Sequence, residues 1–198
     1  MKIVGLMVVR DEDWIIKASL DAALRWCDEV VMYLDRCTDR TALNAFEVPG
    51  AMKRVIAING EQTEHWDEMK IRQQTLIQGR FMGGTHFAII DADEILTYNN
   101  VVLVRERFHQ LEPGQVVDVP MIPVWDSLHQ YRNDGSVWSH ASLTLGFRDA
   151  PGLTWQPASD GYQHHNRPPY GIMEKRSRPC AWNEGGVMHL QFANRRRL

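Results

Sequence analysis

The chain has 198 residues, 44% of them hydrophobic and 24% charged, with a formal net charge of −3. This is the balance of a globular protein large enough to bury most of its apolar surface without staples. Its slightly acidic charge supplies no global basic field for nucleic acid. The widely spaced Cys27, Cys37 and Cys180 form no Cys-x-x-Cys pair. They are expected as reduced thiols and argue against a zinc ribbon. No apolar run approaches the ~20 residues needed to span a bilayer. The strand-like start at Lys2 lacks the layout of a signal peptide. A cytoplasmic protein of one domain, residues 1–198, is the expectation.

Ile3 to Val9 is a continuous apolar run, the pattern of a strand buried on both faces. After Arg10-Asp11-Glu12-Asp13, the stretch Trp14 to Trp26 carries Ile15, Ile16, Leu20, Ala23 and Leu24 at helical spacing. Asp11 or Asp13 is the expected cap of that helix. Glu29 to Leu34 is a second strand, which completes a βαβ unit within about 35 residues. The polar loop Asp35 to Thr41 leads into a helix ending near Phe46, Pro49-Gly50 marks a turn, and Arg54 to Ile58 is a third strand. Glu64 to Phe81 reads as a helix with Trp66, Met69, Gln73, Leu76 and Ile77 along one side, ended by Gly83-Gly84.

Phe87 to Ile90 then climbs directly into Asp91-Ala92-Asp93-Glu94. Carboxylates are costly inside a sheet, so the strand is expected to end where the acids begin. That places them at the C-terminal mouth of a strand, where open α/β sheets bind ligands. Alternation along an extended chain lets Asp91 and Asp93 point into one cleft. Hard oxygen ligands so spaced suit Mg²⁺ or Mn²⁺ held together with nucleotide phosphates. An EF-hand would need glycine where Leu96 stands, and an aspartyl-phosphate phosphatase would want Thr or Val where Ile95 stands.

Past Leu96 the texture changes. A helix is expected from Asn99 to Leu111, capped by Asn99 or Asn100, with Val101, Val104, Phe108 and Leu111 as its stripe. Eight of the nine prolines follow residue 112, so this half is loop-rich. Its strands are expected at Gln115 to Val124, Ser142 to Arg148 and Val187 to Phe192. The densest polar loop, His164 to Pro169, offers His165 and Arg167 to a phosphate or an acceptor. Trp125 and Trp182 adjoin acids and suit an acceptor site. No His-Glu-x-x-His motif or local Ser/His/Asp signature is present.

Taken in order, four stretches resemble a family-2-like glycosyltransferase of the GT-A fold. They are Gly5 to Glu12, Leu34 to Thr41, Trp66 to Gln73 and Ile90 to Glu94. The resemblance implies an α/β, Rossmann-like fold whose mostly parallel central sheet is flanked by helices. Residues 1–96 would form the nucleotide and metal half, and 97–198 the acceptor side. Asp39 would accept from the base with Asp35 nearby, and Arg10 and Glu12 would line the base and ribose pocket. Arg72 would reach the nucleotide or its phosphates. Asp91 would touch ribose or metal-bound water, and Asp93 would coordinate the metal. His189 matches the late histidine that many relatives use as a further metal or phosphate ligand. Asp11 departs from the asparagine usual there, which leaves base recognition open.

The activity implied is metal-dependent transfer of a sugar from a nucleotide-diphosphate donor, expected to be a UDP-sugar, to a hydroxyl acceptor, with inversion. The acceptor could be a glycan, a lipid-linked sugar, a protein or a modified nucleic acid. Inversion needs a carboxylate base. Glu184, Glu174 and Asp126 are the candidates, with Asp160 also in the loop-rich half. Two other readings share parts of this pattern. A nucleotidyltransferase would want a glycine-rich basic loop after the first strand, where Arg10 to Asp13 is acidic and glycine-free. A non-catalytic sugar-nucleotide binding protein would keep the same nucleotide contacts.

Overall fold

β1, Ile3–Val9, lies in the middle of the sheet because its residues are apolar on both faces. In the computed structural model, described over residues 1–61, 66–156, 167–173 and 180–193, odd positions of β1 (Ile3, Met7, Val9) face one core and even positions (Val4, Leu6) the other. β2 (Glu29–Leu34) and β4 (His86–Asp91) alternate in step with it. Met32 and Ala88 join the first core, and Val31, Phe87 and Ile89 the second.

The chain order is β1, α1 (Ile16–Ala23), β2, α2 (Thr41–Phe46), α3 (Ala51–Arg54), β3 (Val55–Asn59), α4 (Glu68–Phe81) and β4. Then come β5 (Glu94–Leu96), α5 (Tyr98–Gln110), β6 (Val116–Trp125), β7 (Ser142–Arg148) and β8 (Val187–Phe192). The sheet order is β3-β2-β1-β4-β7-β6-β8-β5. Four of its seven pairings are parallel, β1–β2, β1–β4, β2–β3 and β6–β8, and three are antiparallel. The α/β class and a mostly parallel, helix-flanked sheet are thus the observed architecture. The hand-over from parallel to antiparallel falls at β4–β7, where Ala88 faces Gly146. A Cβ on Gly146 would stand 2.3 Å from the Phe87 carbonyl oxygen, so only glycine lets the two strands close there.

Several expected boundaries move. α1 is shorter than Trp14 to Trp26, and no side chain caps it. Asp11, at φ +50°, turns away from that helix and accepts from the Thr38 amide at 2.7 Å. The segment between β1 and α1 is thereby pinned to the β2–α2 loop. Thr97, not Asn99 or Asn100, stands at the N-terminus of α5. Asn100 is buried and donates instead to the Glu184 carbonyl at 3.0 Å. On α4, Ile77 is 56% exposed, and the inward face is Met69, Arg72, Leu76 and Gly79. Gln73 accepts from Thr154 Oγ1 at 3.0 Å and the Trp155 amide at 2.8 Å, tying α4 to the loop-rich half. No helix among the described residues is long and apolar enough to cross a membrane.

Candidate functional site

The site forms where the parallel strands end. Val8 near the end of β1 and Asp91 at the end of β4 are direct partners in the sheet. Both lie on the face covered by α4, which contributes Glu68 and Arg72. Together with Arg10, Glu12, Trp66 and Asp93 they line a cleft of about 270 Å³. α4 begins at Asp67, whose carboxylate caps it by accepting from the Lys70 amide at 2.9 Å.

Buried acids here are held by a chain of alternating charges. Glu68 Oε1 accepts from Arg72 at 2.7 Å, and Arg72 Nη2 donates to Asp91 Oδ1 at 3.1 Å. Asp91 Oδ2 accepts from Arg167 Nη1 at 3.1 Å, and the same nitrogen donates to Glu94 Oε1 at 2.9 Å. Arg167 also donates to the carbonyls of Ile89 at 2.8 Å and Thr144 at 2.7 Å. Ions removed from water require this degree of pairing. Desolvation raises the Asp91 pKa, but Arg72 and Arg167 outweigh it and hold the carboxyl below the usual carboxylate range. Arg167, expected to reach out from a loop toward phosphate or acceptor, instead ties β4, β5 and β7 together.

Asp93 sits in a different field. Desolvation raises its pKa, and Asp91, Glu94 and Glu12 add to that against the pull of His189. Among the described residues it pairs with His189, whose Nε2 lies 3.6 Å from Oδ2. The pairing of β5 with β8 makes this contact: Glu94 stands opposite His189, and the Leu190 amide donates to the Asp93 carbonyl at 2.9 Å. β5 is only three residues long, and a reading that runs Asp93-Glu94 straight on to Leu96 misses it.

His189 also lines a second hollow, of about 350 Å³, with Pro123, Trp125, Arg132, Trp138 and Gln191. A wall residue of the cleft, Asp93, and a wall residue of the aromatic hollow, His189, are thus in contact. Tryptophans at 66 and 138 line the two openings. Trp66 opens the family-like stretch that runs to Gln73 and stands just before α4 rather than on it, whereas the sequence around Trp138 shows no pattern that marks it.

The other expected residues fall in three places. Arg10 is half exposed at the cleft, 3.6 Å from Asp35 Oδ2. Asp35 is buried, and Arg36 donates to it through Nε at 3.1 Å and Nη2 at 2.9 Å. Glu12 Oε2 accepts from Trp14 Nε1 at 2.7 Å. Asp39 accepts from the amides of Asp13 at 3.1 Å and Thr41 at 2.9 Å. Desolvation raises the Asp39 pKa, yet these donors outweigh it and hold the carboxyl below its ordinary value. Asp126, at φ +64°, follows Trp125 and donates its amide to the Phe192 carbonyl at 2.9 Å.

Glu184 is not brought to the acids. Its carboxylate accepts from Arg107 of α5 and the Ala181 amide, both at 2.7 Å. It closes the short 3₁₀ turn Trp182–Glu184, which leads to the glycines before β8. Glu174, Asp160 and His165 lie outside the described residues.

Asp93 and His189 present one carboxylate and one imidazole on a common point. A hard divalent ion that keeps waters and shares phosphate oxygens needs only one or two protein carboxylates. The pair fits such an ion. Among the described residues, no three His, Cys, Asp or Glu side chains form a self-sufficient metal cage.

No family model matches this chain, and no curated protein does. Solved structures resemble it in part. TarS from S. aureus (residues 1–349) is 16% identical at a TM-score of 0.49, over 69% of this chain and 39% of that one. A mycobacterial protein is 18% identical at 0.46, over 69% and 43%. Glucosyl-3-phosphoglycerate synthase from Mycobacterium tuberculosis, in complex with Mn²⁺, UDP-glucose and phosphoglyceric acid, is 16% identical at 0.45, over 62% and 44%. The chain spans less than half the length of each of these proteins.

Proposed function

We propose that this chain is a GT-A-type glycosyltransferase that moves a sugar from a nucleotide-diphosphate donor, a UDP-sugar, to a hydroxyl acceptor. The observation that carries the reading is the contact, 3.6 Å, between a wall residue of each of two clefts, Asp93 and His189. One cleft lies at the C-terminal ends of parallel strands, where α/β sheets bind nucleotides. The other has the aromatic walls of a substrate pocket. The order of four stretches that resemble the family, from Gly5 to Glu94, supports the same division of the chain.

Asp93 and His189 would hold Mn²⁺ or Mg²⁺ together with the donor diphosphate. When bound, that ion neutralises charge developing on the leaving group. Trp66 offers a face to the base, and Arg10 and Glu12 reach base or ribose. Asp91, fixed by two arginines, stays ionised and can accept from ribose or a metal-bound water. Arg72 lines the same cleft with its guanidinium shared between Glu68 and Asp91, and would reach the donor phosphates from there.

Inversion requires a base on the acceptor side, worth about 10²–10⁴ in rate. Of the three candidates, Asp126 follows the pocket-wall residue Trp125, whereas Glu184 caps a turn on α5. Asp126 is therefore the base this reading favours.

The test is release of UDP from a panel of UDP-sugars with Mn²⁺, in wild type and Asp93→Ala. Metal-dependent release that the variant loses supports a transferase. UDP binding without release from any donor favours a sugar-nucleotide binding protein on this scaffold.

A further inference from the structure

The hollow beside His189 shares two wall residues, Trp125 and Arg132, with a wider opening of about 530 Å³, lined also by His129, Gln130, Tyr131 and Asp134. Three large rings stand open to solvent along this groove: Trp125 at 39%, Tyr131 at 59% and Trp138 at 58%. Exposed indoles are costly unless something covers them.

These rings are held in place by a polar frame. Trp125 packs on Phe192 with ring centroids 5.1 Å apart. Arg132 lies 5.7 Å from the Trp125 ring centre, with its Nε donating to Asp134. Asp134 also accepts from the Ser136 amide at 3.0 Å and Ser139 Oγ at 2.8 Å. Those two bonds fix the 3₁₀ turn Val137–His140 that presents Trp138. A platform fixed in advance loses less freedom on binding.

The charge of the groove selects its occupant. Arg132 is offset by Asp134, so this pair offers no surplus cation. Phosphate sites rely on unbalanced arginines or lysines. Among the described residues the rest of the lining is aromatic faces with hydrogen-bonding groups from Gln130, Gln191, Arg132 and Asp134 and the imidazoles of His129 and His189 at their edges. A pyranose ring matches that chemistry, with C–H groups on its face and hydroxyls at its rim.

We infer that the groove from His189 to Tyr131 is the acceptor subsite, and that it takes an uncharged saccharide of more than one ring stacked on Trp125 and Trp138. This deepens the transferase reading and rests on it for the word acceptor. An acceptor hydroxyl at the His189 end would face the junction with the donor cleft.

Saturation-transfer NMR tests the inference, using wild type with Mn²⁺ and UDP. The neutral probes are cellotriose, maltotriose, mannotriose and chitotriose, and the anionic ones inorganic phosphate and glucose 6-phosphate. At least one neutral trisaccharide should receive saturation on its ring C–H protons. Trp138→Ala should weaken its binding about tenfold, and Trp138→Phe should restore most of it. Calorimetric UDP affinity should be the same in both variants. The inference is overturned if no neutral trisaccharide binds, if Trp138→Ala binds it as well as wild type, or if only the anionic probes bind. Loss of UDP binding in wild type would sink the donor-site reading, while the saccharide signal still reads the groove independently.

Discussion

Arg167 Nη1 donates to Asp91 Oδ2 at 3.1 Å, joining residues 76 positions apart in the chain. The same guanidinium serves Glu94, which is 5% exposed. Removing the arginine leaves buried Glu94 without its ion-pair partner among the described residues and Asp91 with Arg72 alone. Arg167→Met should therefore cost about 3 kcal/mol of folding stability, the range for breaking a buried pair. Urea denaturation checks it. A loss below about 1 kcal/mol would mean the acids find other partners.

His86 predicts a pH dependence. The ring is buried, its Nδ1 meets Thr85 Oγ1 at 2.9 Å, and the Phe108 backbone offers it only a weak contact that favours the protonated form. Burial, helped by Arg148, lowers its pKa to about 4. The unfolded chain takes up a proton near pH 6.5 while the folded chain resists until about pH 4. The folded state thus binds fewer protons between these values, and stability falls as pH falls through that window. The full contribution, about 3 kcal/mol, is present above pH 6.5 and gone below pH 4. His86→Phe should flatten this part of a stability-versus-pH curve measured by urea denaturation. Parallel curves for the two proteins would contradict the account.

Gly146 tests the seam where the sheet changes direction. A Cβ there would lie 2.3 Å from Phe87 O and 2.5 Å from Phe108 Cζ. The backbone contact cannot be relieved by rotating a side chain. Gly146→Ala should cost about 2–3 kcal/mol, within the range for overpacking a closed core. A thermal melt within experimental error of wild type would show that β4 and β7 can separate freely.

Glu184 separates a structural role from a chemical one. Glu184→Gln weakens its bonds to Arg107 and the Ala181 amide, which should cost about 1–2 kcal/mol. Since Glu184 lines neither cleft, UDP affinity should not change. Lower stability with unchanged UDP binding is the expected result of denaturation and calorimetry together. A large fall in UDP affinity would place Glu184 in the donor machinery.

The parallel half was legible because its signals are local. β1 and the bodies of β2 and β4 are apolar runs, and the acids that begin at Asp91, the last residue of β4, announce where it stops. α4 was legible as a helix but not in its facing. Its inward side carries Arg72 and Glu68, which periodicity counts as outward residues. β5 was hidden because three residues, Glu94 to Leu96, become a strand only through pairing with β8 some ninety positions later. Distance in sequence likewise concealed the Arg167–Glu94 pair. Asp11 misled for a local reason: an acid before a helix resembles a cap, yet its left-handed backbone turns it to Thr38. The approach of His189 to Asp93 follows from the same β5–β8 pairing.

The most direct test of the account is calorimetry of UDP binding, with and without Mn²⁺, on wild type and Asp93→Ala. UDP binding should strengthen at least tenfold with Mn²⁺ in wild type, about 1.4 kcal/mol, and show no metal effect in the variant. UDP affinity that is indifferent to Mn²⁺, or metal-dependent binding that survives in Asp93→Ala, would contradict the assignment of the donor site to the Asp93–His189 junction.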